Sequence, residues 1–140
     1  MSCRGKGNAV LIKSGIPYFV DGVSSEHMLA MMQKMNPSKN GSSPRPFEKL
    51  CAGQTLLCKS LGLKVKIWDQ KTFHPEKFYI TDVGYQPGRI VQTKRLGIPI
   101  GRDEHLFYRF IDAQHANCCT RSNPLKKKNQ QENIDYFVLT

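Results

Sequence analysis

The chain has 140 residues, of which 39% are hydrophobic and 23% are charged. These values are typical of one globular domain and exclude a disordered or fibrous protein. No apolar run approaches the roughly 18 residues that a membrane helix needs. Twenty-one Lys and Arg against eleven Asp and Glu leave a formal net charge of +10, which favours polyanionic partners such as nucleic acid. We therefore expect a single basic domain over residues 1–140.

The first segments predict strands followed by a methionine-rich helix. β-branched and aromatic residues at 9–12 and 16–20 flank a Ser-Gly pair, which indicates two short strands or one hairpin. A serine at 24 or 25 suits a helix N-cap, and Pro37 ends the helix that follows. Methionines recur along this helix at helical spacing, which favours a core-facing stripe and leaves a protein-binding groove as the alternative. The stripe consists of Met28, Met31, Met32 and Met35.

Turn-forming residues fill positions 36–46 and predict an exposed loop. Pro46 suits the first turn of a second helix, and Gly62 suits a left-handed cap at its end. Between them, one apolar face of the predicted helix is formed by Phe47, Leu50, Cys51, Leu57, Cys58 and Leu61.

From Leu63 onward the apolar period changes to two. Leu63, Val65 and Ile67 alternate with polar or amphipathic residues, which predicts a half-buried strand. Further strands are predicted at 78–83, 89–92, 106–111 and 134–139, with a second exposed loop at 119–132. This order predicts an α+β domain in which two helices pack on a mainly antiparallel sheet.

The predicted third strand carries the main candidate binding surface. On a strand, Lys64, Lys66 and Trp68 would lie together on the solvent face. Cations beside an exposed ring suit phosphates and stacked bases, so this surface is predicted to bind nucleic acid, with an ordinary solvated face as the simpler alternative. Further phosphate contacts are predicted for Lys94, Arg95, Arg102, Arg109, Lys126, Lys127 and Lys128.

A zinc site is a weaker hypothesis. His115, Cys118 and Cys119 have the spacing of one half of a tetrahedral site. Cys51 and Cys58 lie seven positions apart on the predicted helix, about 10 Å along its axis, so both cannot bind one ion. We expect these two cysteines to act as small apolar side chains, and we expect no cofactor.

Cys51 and His105 are the candidates for nucleophilic catalysis. Cys51 falls in the first turns of the predicted helix, where the dipole lowers a thiol pKa, and the order Cys then His is that of papain-like folds. Asp103 or Asp112 could orient the histidine. No recognisable signature surrounds Cys51, so a cysteine protease ranks third among the hypotheses.

The sequence favours a non-enzymatic nucleic-acid-binding protein, with RNA or single-stranded nucleic acid preferred. The alternative is a small viral or regulatory interaction module that binds an acidic host or cellular partner. Five cysteines without a disulfide framework predict free thiols and a cytoplasmic or nuclear location. The choice between RNA and DNA and the oligomeric state are left open.

Overall fold

The structure is a computed structural model that describes residues 9–19, 25–41, 43–118 and 129–140. Within these ranges, helices and a three-stranded antiparallel sheet confirm the predicted α+β class. None of these helices combines the length and hydrophobicity that crossing a membrane requires. The helices are α1 (Ser25–Met35), α2 (Gln54–Ser60) and α3 (Val65–Trp68), the strands are β1 (Ile90–Thr93), β2 (Arg109–Asp112) and β3 (Tyr136–Leu139), and 3₁₀ turns span Phe47–Lys49 and Ala116–Cys118.

The second predicted helix is interrupted at a glycine. Gly53 has a φ of 140°, which side-chain-bearing residues rarely adopt, so the helical segment divides into the first 3₁₀ turn and α2. The predicted end of the helix is confirmed at Gly62, whose φ is 64°. The Gly62 N–H donates to the Lys59 carbonyl at 3.0 Å and the Leu63 N–H to the Cys58 carbonyl at 2.8 Å. These two bonds form a Schellman motif.

A buried asparagine joins α1 to α2. Asn36 is 1% exposed, and its Nδ2 donates to the Leu50 carbonyl at 2.9 Å, the Leu56 carbonyl at 3.2 Å and Ser60 Oγ at 3.1 Å. Ser60 Oγ also donates to the Leu50 carbonyl at 2.8 Å. The prediction of an exposed loop over 36–46 is therefore wrong at its first residue, because composition alone does not show that this side chain satisfies buried carbonyls.

The sheet has β1 at its centre, paired antiparallel with β2 and β3. Val91 of β1 lies opposite Ile111 of β2 and Val138 of β3. Val91 and Ile111 are 1% and 5% exposed and form a small core with Ala116. The strands that the sequence predicted near 89–92, 106–111 and 134–139 are thus confirmed, with bounds shifted by a few residues.

Four other predicted strands are not formed in the described residues. Residues 9–12 and 16–19 have no regular secondary structure, and position 20 lies outside the described ranges. Residues 65–68 are helical, because their bonds are local: Trp68 N–H donates to the Lys64 carbonyl at 3.1 Å. Within 78–83, only Phe78 forms a bridge, with His74. A strand needs a neighbour to bond with, and alternation in a short segment does not supply one.

The methionine stripe is not core. No residue of α1 is buried, and Met28, Met31 and Met35 are 39%, 49% and 42% exposed. α1 packs against α2, and these three methionines meet solvent. The prediction that the stripe faces the core is wrong.

Replacing Asn36 tests the hydrogen-bonded link between the helices. We expect Asn36→Ala to lower the free energy of unfolding by about 2 to 3 kcal/mol, because buried carbonyls lose their donor. Asn36→Asp should cost more, because a carboxylate would face the Leu50 and Leu56 carbonyls that now accept hydrogen bonds. Urea denaturation followed by circular dichroism measures both.

Asn40→Ala is the matched control, since Asn40 lies in an exposed turn and its loss should change stability by less than about 0.5 kcal/mol. An Asn36→Ala effect no larger than the control would show that this asparagine does not hold the helices together.

Candidate nucleic-acid interface

Three aromatic side chains pack together beside α3, and one of them, Trp68, lines a surface cleft. The Trp68 and Phe78 rings meet edge to face at 5.3 Å, and Phe73 meets Phe78 at the same distance. A tight turn places Phe78 there, because its N–H donates to the His74 carbonyl at 2.9 Å and the His74 N–H donates to the Phe78 carbonyl at 2.8 Å. The chain after α3 therefore folds back against Trp68.

The Trp68 cleft has a volume of about 470 Å³. Among the described residues, its lining includes two lysines, Lys71 and Lys77, and no acidic residue. The Glu76 N–H donates to His74 Nδ1 at 3.2 Å, so in the neutral ring the proton is on Nε2. The cleft thus offers an aromatic surface with hydrogen-bond donors and positive charge, which suits phosphate and sugar groups. Its lining residues are Ile67, Trp68, Gln70, Lys71, Thr72, His74 and Lys77.

The predicted surface of Lys64, Lys66 and Trp68 is only partly assembled. Because residues 65–68 form a helix, successive side chains turn by about 100°, so Lys64 and Trp68 fall on one side and Lys66 on the other. Both lysines are exposed, whereas Trp68 is half-buried. The prediction of one shared strand face is wrong, although Trp68 does line the cleft.

The other predicted basic residues lie around the β1–β2 connection. Lys94 Nζ lies 5.4 Å from the centre of the Phe107 ring. Arg95 lies 6.0 Å from the centre of the Tyr108 ring and 3.9 Å from a carboxylate oxygen of Asp103. Arg102 is exposed in the connecting turns and Arg109 is half-buried in β2. Lys126, Lys127 and Lys128 lie outside the described residues.

Comparison with known proteins decides the family. Residues 1–116 match the family model described as methylpurine-DNA glycosylase, which is most of the 140-residue chain. The chain belongs to the methylpurine-DNA glycosylase family. No solved structure matches this family member.

Bacterial relatives agree with the family model. Putative 3-methyladenine DNA glycosylases of Pseudomonas syringae pv. syringae (strain B728a) and pv. tomato (strain ATCC BAA-871 / DC3000) are each 57% identical over 138 residues, covering 99% of this chain and 60% of the relative. A protein of the same name from Pseudomonas aeruginosa (strain LESB58) is 52% identical and covered over 56% of its length. This glycosylase-family chain therefore spans about 60% of the length of these relatives.

Family membership corrects the functional predictions. A non-enzymatic protein that prefers RNA is wrong, because the family and the relatives are named for enzymes of DNA. The hypothesis of a viral or regulatory interaction module is also wrong, because the named relatives are bacterial proteins named for DNA glycosylase activity. The cysteine-protease hypothesis is also overturned by the family match.

The zinc hypothesis finds no support in the described part of this family member, where no group of three or more His, Cys, Asp or Glu could hold a metal ion. Cys118 is buried. Nε2 of His115 lies 3.8 Å from a carboxylate oxygen of Asp112, which also accepts a 2.7 Å hydrogen bond from the Tyr85 hydroxyl. Cys119 lies outside the described residues.

The Cys51 thiol is unsuited to nucleophilic attack. It is 3% exposed, and burial raises its pKa, although a hydrogen bond with the Ser60 side chain acts in the opposite direction. A reactive thiol needs a lowered pKa and access to solvent. Cys51 precedes α2, outside the helix, while His105 is exposed in the turns before β2. Asp103 lies near Arg95, so no described contact assembles a triad.

The sequence did not single out Lys71 and Lys77 as binding residues. Both lysines are exposed and lie outside any helix or strand. The periodicity of apolar residues therefore carries no information about their positions. The available signal was Pro75, because a proline beside polar residues indicates a turn and a turn at this point brings residues 71 and 77 towards each other.

Alkylation tests the cysteine environments. In the folded protein at mildly alkaline pH, we expect iodoacetamide to modify Cys58 at least about tenfold faster than Cys51, because Cys58 is half-buried and the Cys51 thiol is buried with a raised pKa. Peptide mass spectrometry over time measures the two rates. In concentrated urea the rates should converge, and equal rates in the folded protein would contradict the buried placement of Cys51.

Proposed function

We propose that this chain takes part in the excision of methylated purines from DNA and contacts the DNA backbone through the Trp68 cleft. The observation that carries the proposal is the family match over residues 1–116, supported by relatives named putative 3-methyladenine DNA glycosylase. The cleft adds a place for DNA, since its lining combines two lysines with the Trp68 ring.

The chemistry of this activity needs no cofactor. A glycosylase turns the target nucleotide out of the duplex into a pocket and then hydrolyses the bond between the base and C1′ of the deoxyribose. Water supplies the hydroxyl group that bonds to C1′ and loses its other proton to the solvent, because a cationic methylated base departs neutral once it takes the electron pair of the broken bond. Methylation at a purine ring nitrogen leaves the linked base positively charged, so the C1′–N bond breaks with its electron pair moving to an already electron-poor ring.

Charge decides which part of the DNA the Trp68 cleft contacts. Lys71 and Lys77 attract phosphates, whereas a cationic methylated base would be repelled by the same ammonium groups. We therefore assign the cleft to the sugar-phosphate backbone, with Trp68 as an apolar surface for a sugar or an unpaired base. We assign no catalytic residue.

DNA as the partner refines the earlier prediction of nucleic acid or an acidic protein. The named relatives come from bacteria, in which DNA lies in the cytoplasm. Of the two predicted locations, the proposal therefore favours the cytoplasm over the nucleus.

Neutralising the cleft tests its contact with phosphate. We expect Lys71→Gln/Lys77→Gln to weaken binding to duplex DNA and to reduce the slope of log affinity against log salt by about 1.8, because each lost phosphate contact accounts for about 0.9. Fluorescence anisotropy with labelled DNA between about 50 and 200 mM salt measures the slope.

Lys34→Gln/Lys39→Gln is the matched control, since it removes the same charge from exposed positions in α1 and the loop after it. A smaller slope change in the control supports the cleft. Equal changes in the two variants would show that overall charge, rather than the cleft, binds DNA.

The excision role has its own assay. DNA treated with a radiolabelled methylating agent should release free methylated purine when it is incubated with this chain, either alone or co-expressed with the part of the Pseudomonas syringae relative that the chain does not span. Chromatography of the soluble fraction identifies the released base. Release no faster than from DNA without protein, in both arms, would reject the role.

A further inference from the structure

The Trp68 cleft has the size of a small-molecule site. Its volume of about 470 Å³ lies within the range of about 300 to 1,000 Å³ that is typical of ligand pockets. A phosphate group alone would fill only a small part of this space. The cleft can therefore hold more of the DNA than the backbone phosphate that its lysines attract.

The indole of Trp68 gives the lining an apolar surface that a phosphate does not use. Trp68 is half-buried, and its ring meets the Phe78 ring edge to face at 5.3 Å. Phe73 meets Phe78 with the same geometry, so neighbouring rings support the indole. A supported planar ring suits stacking with a nucleobase. A base inside a duplex has both faces covered by its neighbours, so the base that stacks here has to be unpaired.

The charges of the lining favour a phosphate beside that base. Lys71 and Lys77 line the cleft, whereas Asp69 and Glu76, which are close in sequence, do not. His74 adds a neutral N–H donor at Nε2, because its Nδ1 accepts from the Glu76 N–H. Two cations and a further donor suit one phosphate group.

Gln70 lines the cleft in a backbone conformation that glutamine rarely adopts. Its φ is 57°, in the left-handed region, where glycine or asparagine usually follows the end of a helix. α3 ends at Trp68, two residues earlier, so a glycine would serve this turn with less strain. Strained residues cluster at ligand sites, and the Gln70 amide brings both a donor and an acceptor to the cleft.

We propose that the Trp68 cleft binds one nucleoside monophosphate unit, with its phosphate at Lys71 and Lys77 and its unpaired base against Trp68. The Gln70 amide bonds to the edge of that base. This assignment rests on the proposed function of the cleft and names the part of the DNA that enters it. An unpaired nucleotide within a strand and a free nucleotide share this chemistry. The base is an unmodified one, since ammonium groups repel a cationic methylated base.

The fluorescence of Trp68 reports directly on this site, because the chain has one tryptophan. We expect deoxyadenosine monophosphate to quench it and to bind at least about fivefold more tightly than deoxyadenosine or inorganic phosphate, because stacking and phosphate contacts both contribute. Titration of the full chain measures the first two affinities, and competition with the nucleotide measures the third. Equal affinity for the nucleotide and for inorganic phosphate would overturn the proposal.

Variants assign the parts of the nucleotide to side chains, with equilibrium dialysis of radiolabelled nucleotide as the measurement. Trp68→Leu should lower the affinity at least about fivefold, whereas Trp68→Phe should keep most of it, because a phenyl ring still stacks. Lys71→Gln/Lys77→Gln should reduce the affinity to that of deoxyadenosine. Tyr18→Leu is the matched control, because Tyr18 is 83% exposed and outside the cleft lining, and it should leave the affinity unchanged. Binding by Trp68→Leu as tight as by this control would contradict stacking on the indole.

Gln70→Gly separates binding from folding. Glycine adopts the left-handed conformation without strain, so this variant should unfold at a Tm no lower than that of the unmodified chain, as measured by circular dichroism. Loss of the amide should still weaken nucleotide binding at least about threefold. Unchanged nucleotide affinity would contradict the bond between Gln70 and the base.

Two DNA duplexes decide the source of the nucleotide. One carries a single bulged adenine and the other is the fully paired duplex of the same sequence, and fluorescence anisotropy gives the affinity for each. Tighter binding of the bulged duplex that is lost in Trp68→Leu assigns the site to a strand of DNA. Binding of deoxyadenosine monophosphate without this preference assigns it to a free nucleotide.

The nucleotide site and the proposed function can fail separately. If Lys71→Gln/Lys77→Gln reduces the salt slope for paired DNA but the nucleotide binds no more tightly than inorganic phosphate, the contact with the DNA backbone stands and the nucleotide site is rejected. If the nucleotide binds as expected but methylated DNA releases no base, excision is rejected and the nucleotide site stands.

Discussion

The fold depends on one buried amide. Asn36, the residue after α1, donates to the Leu50 carbonyl and to two partners within α2, Leu56 and Ser60. A buried carbonyl without a donor is costly, so this side chain determines how α1, the first 3₁₀ turn and α2 can be arranged. Leu50, whose carbonyl accepts from both Asn36 and Ser60, is itself 0% exposed.

The same region joins the helices to the sheet. The two 3₁₀ turns contact each other, and Lys49 Nζ donates to the Asn117 carbonyl at 3.2 Å. Ala116 in the second turn belongs to the small core of Val91 and Ile111. The helical region that Asn36 joins together therefore contacts the sheet region through the two 3₁₀ turns. By contrast, α3 has no substantial contact with the described strands. The Trp68 cleft is built mainly from its own local turns.

Local signals in the sequence were reliable where local bonds decide the structure. A serine start and Pro37 marked α1, and Gly62 marked the end of α2, because capping geometry involves only neighbouring residues. The strands β1, β2 and β3 were found because each is rich in β-branched and aromatic residues and has an available neighbour. Residues 9–12 have strand composition without a neighbour in the described part, and 65–68 bond locally instead.

The functional site was less predictable for two physical reasons. Net charge favours a polyanion as partner, but net charge does not distinguish a protein that only binds nucleic acid from an enzyme that acts on it. The lysines of the cleft, Lys71 and Lys77, come together through a turn, and no periodic pattern records that approach. Family membership emerges from the comparison of residues 1–116 as a whole, and the composition and periodicity of single segments did not indicate it.

The close approach of Met35 to Gly62 makes the helix pair sensitive to oxidants. A methyl group at Gly62 would lie 3.3 Å from Met35 Sδ, so the sulfur occupies the space that the missing side chain leaves, while Met35 as a whole is 42% exposed. Conversion of the thioether to a sulfoxide adds a polar oxygen at this contact. The oxygen would press against the cap of α2 and separate it from α1, so oxidative damage to one exposed residue would loosen the helical half of the protein.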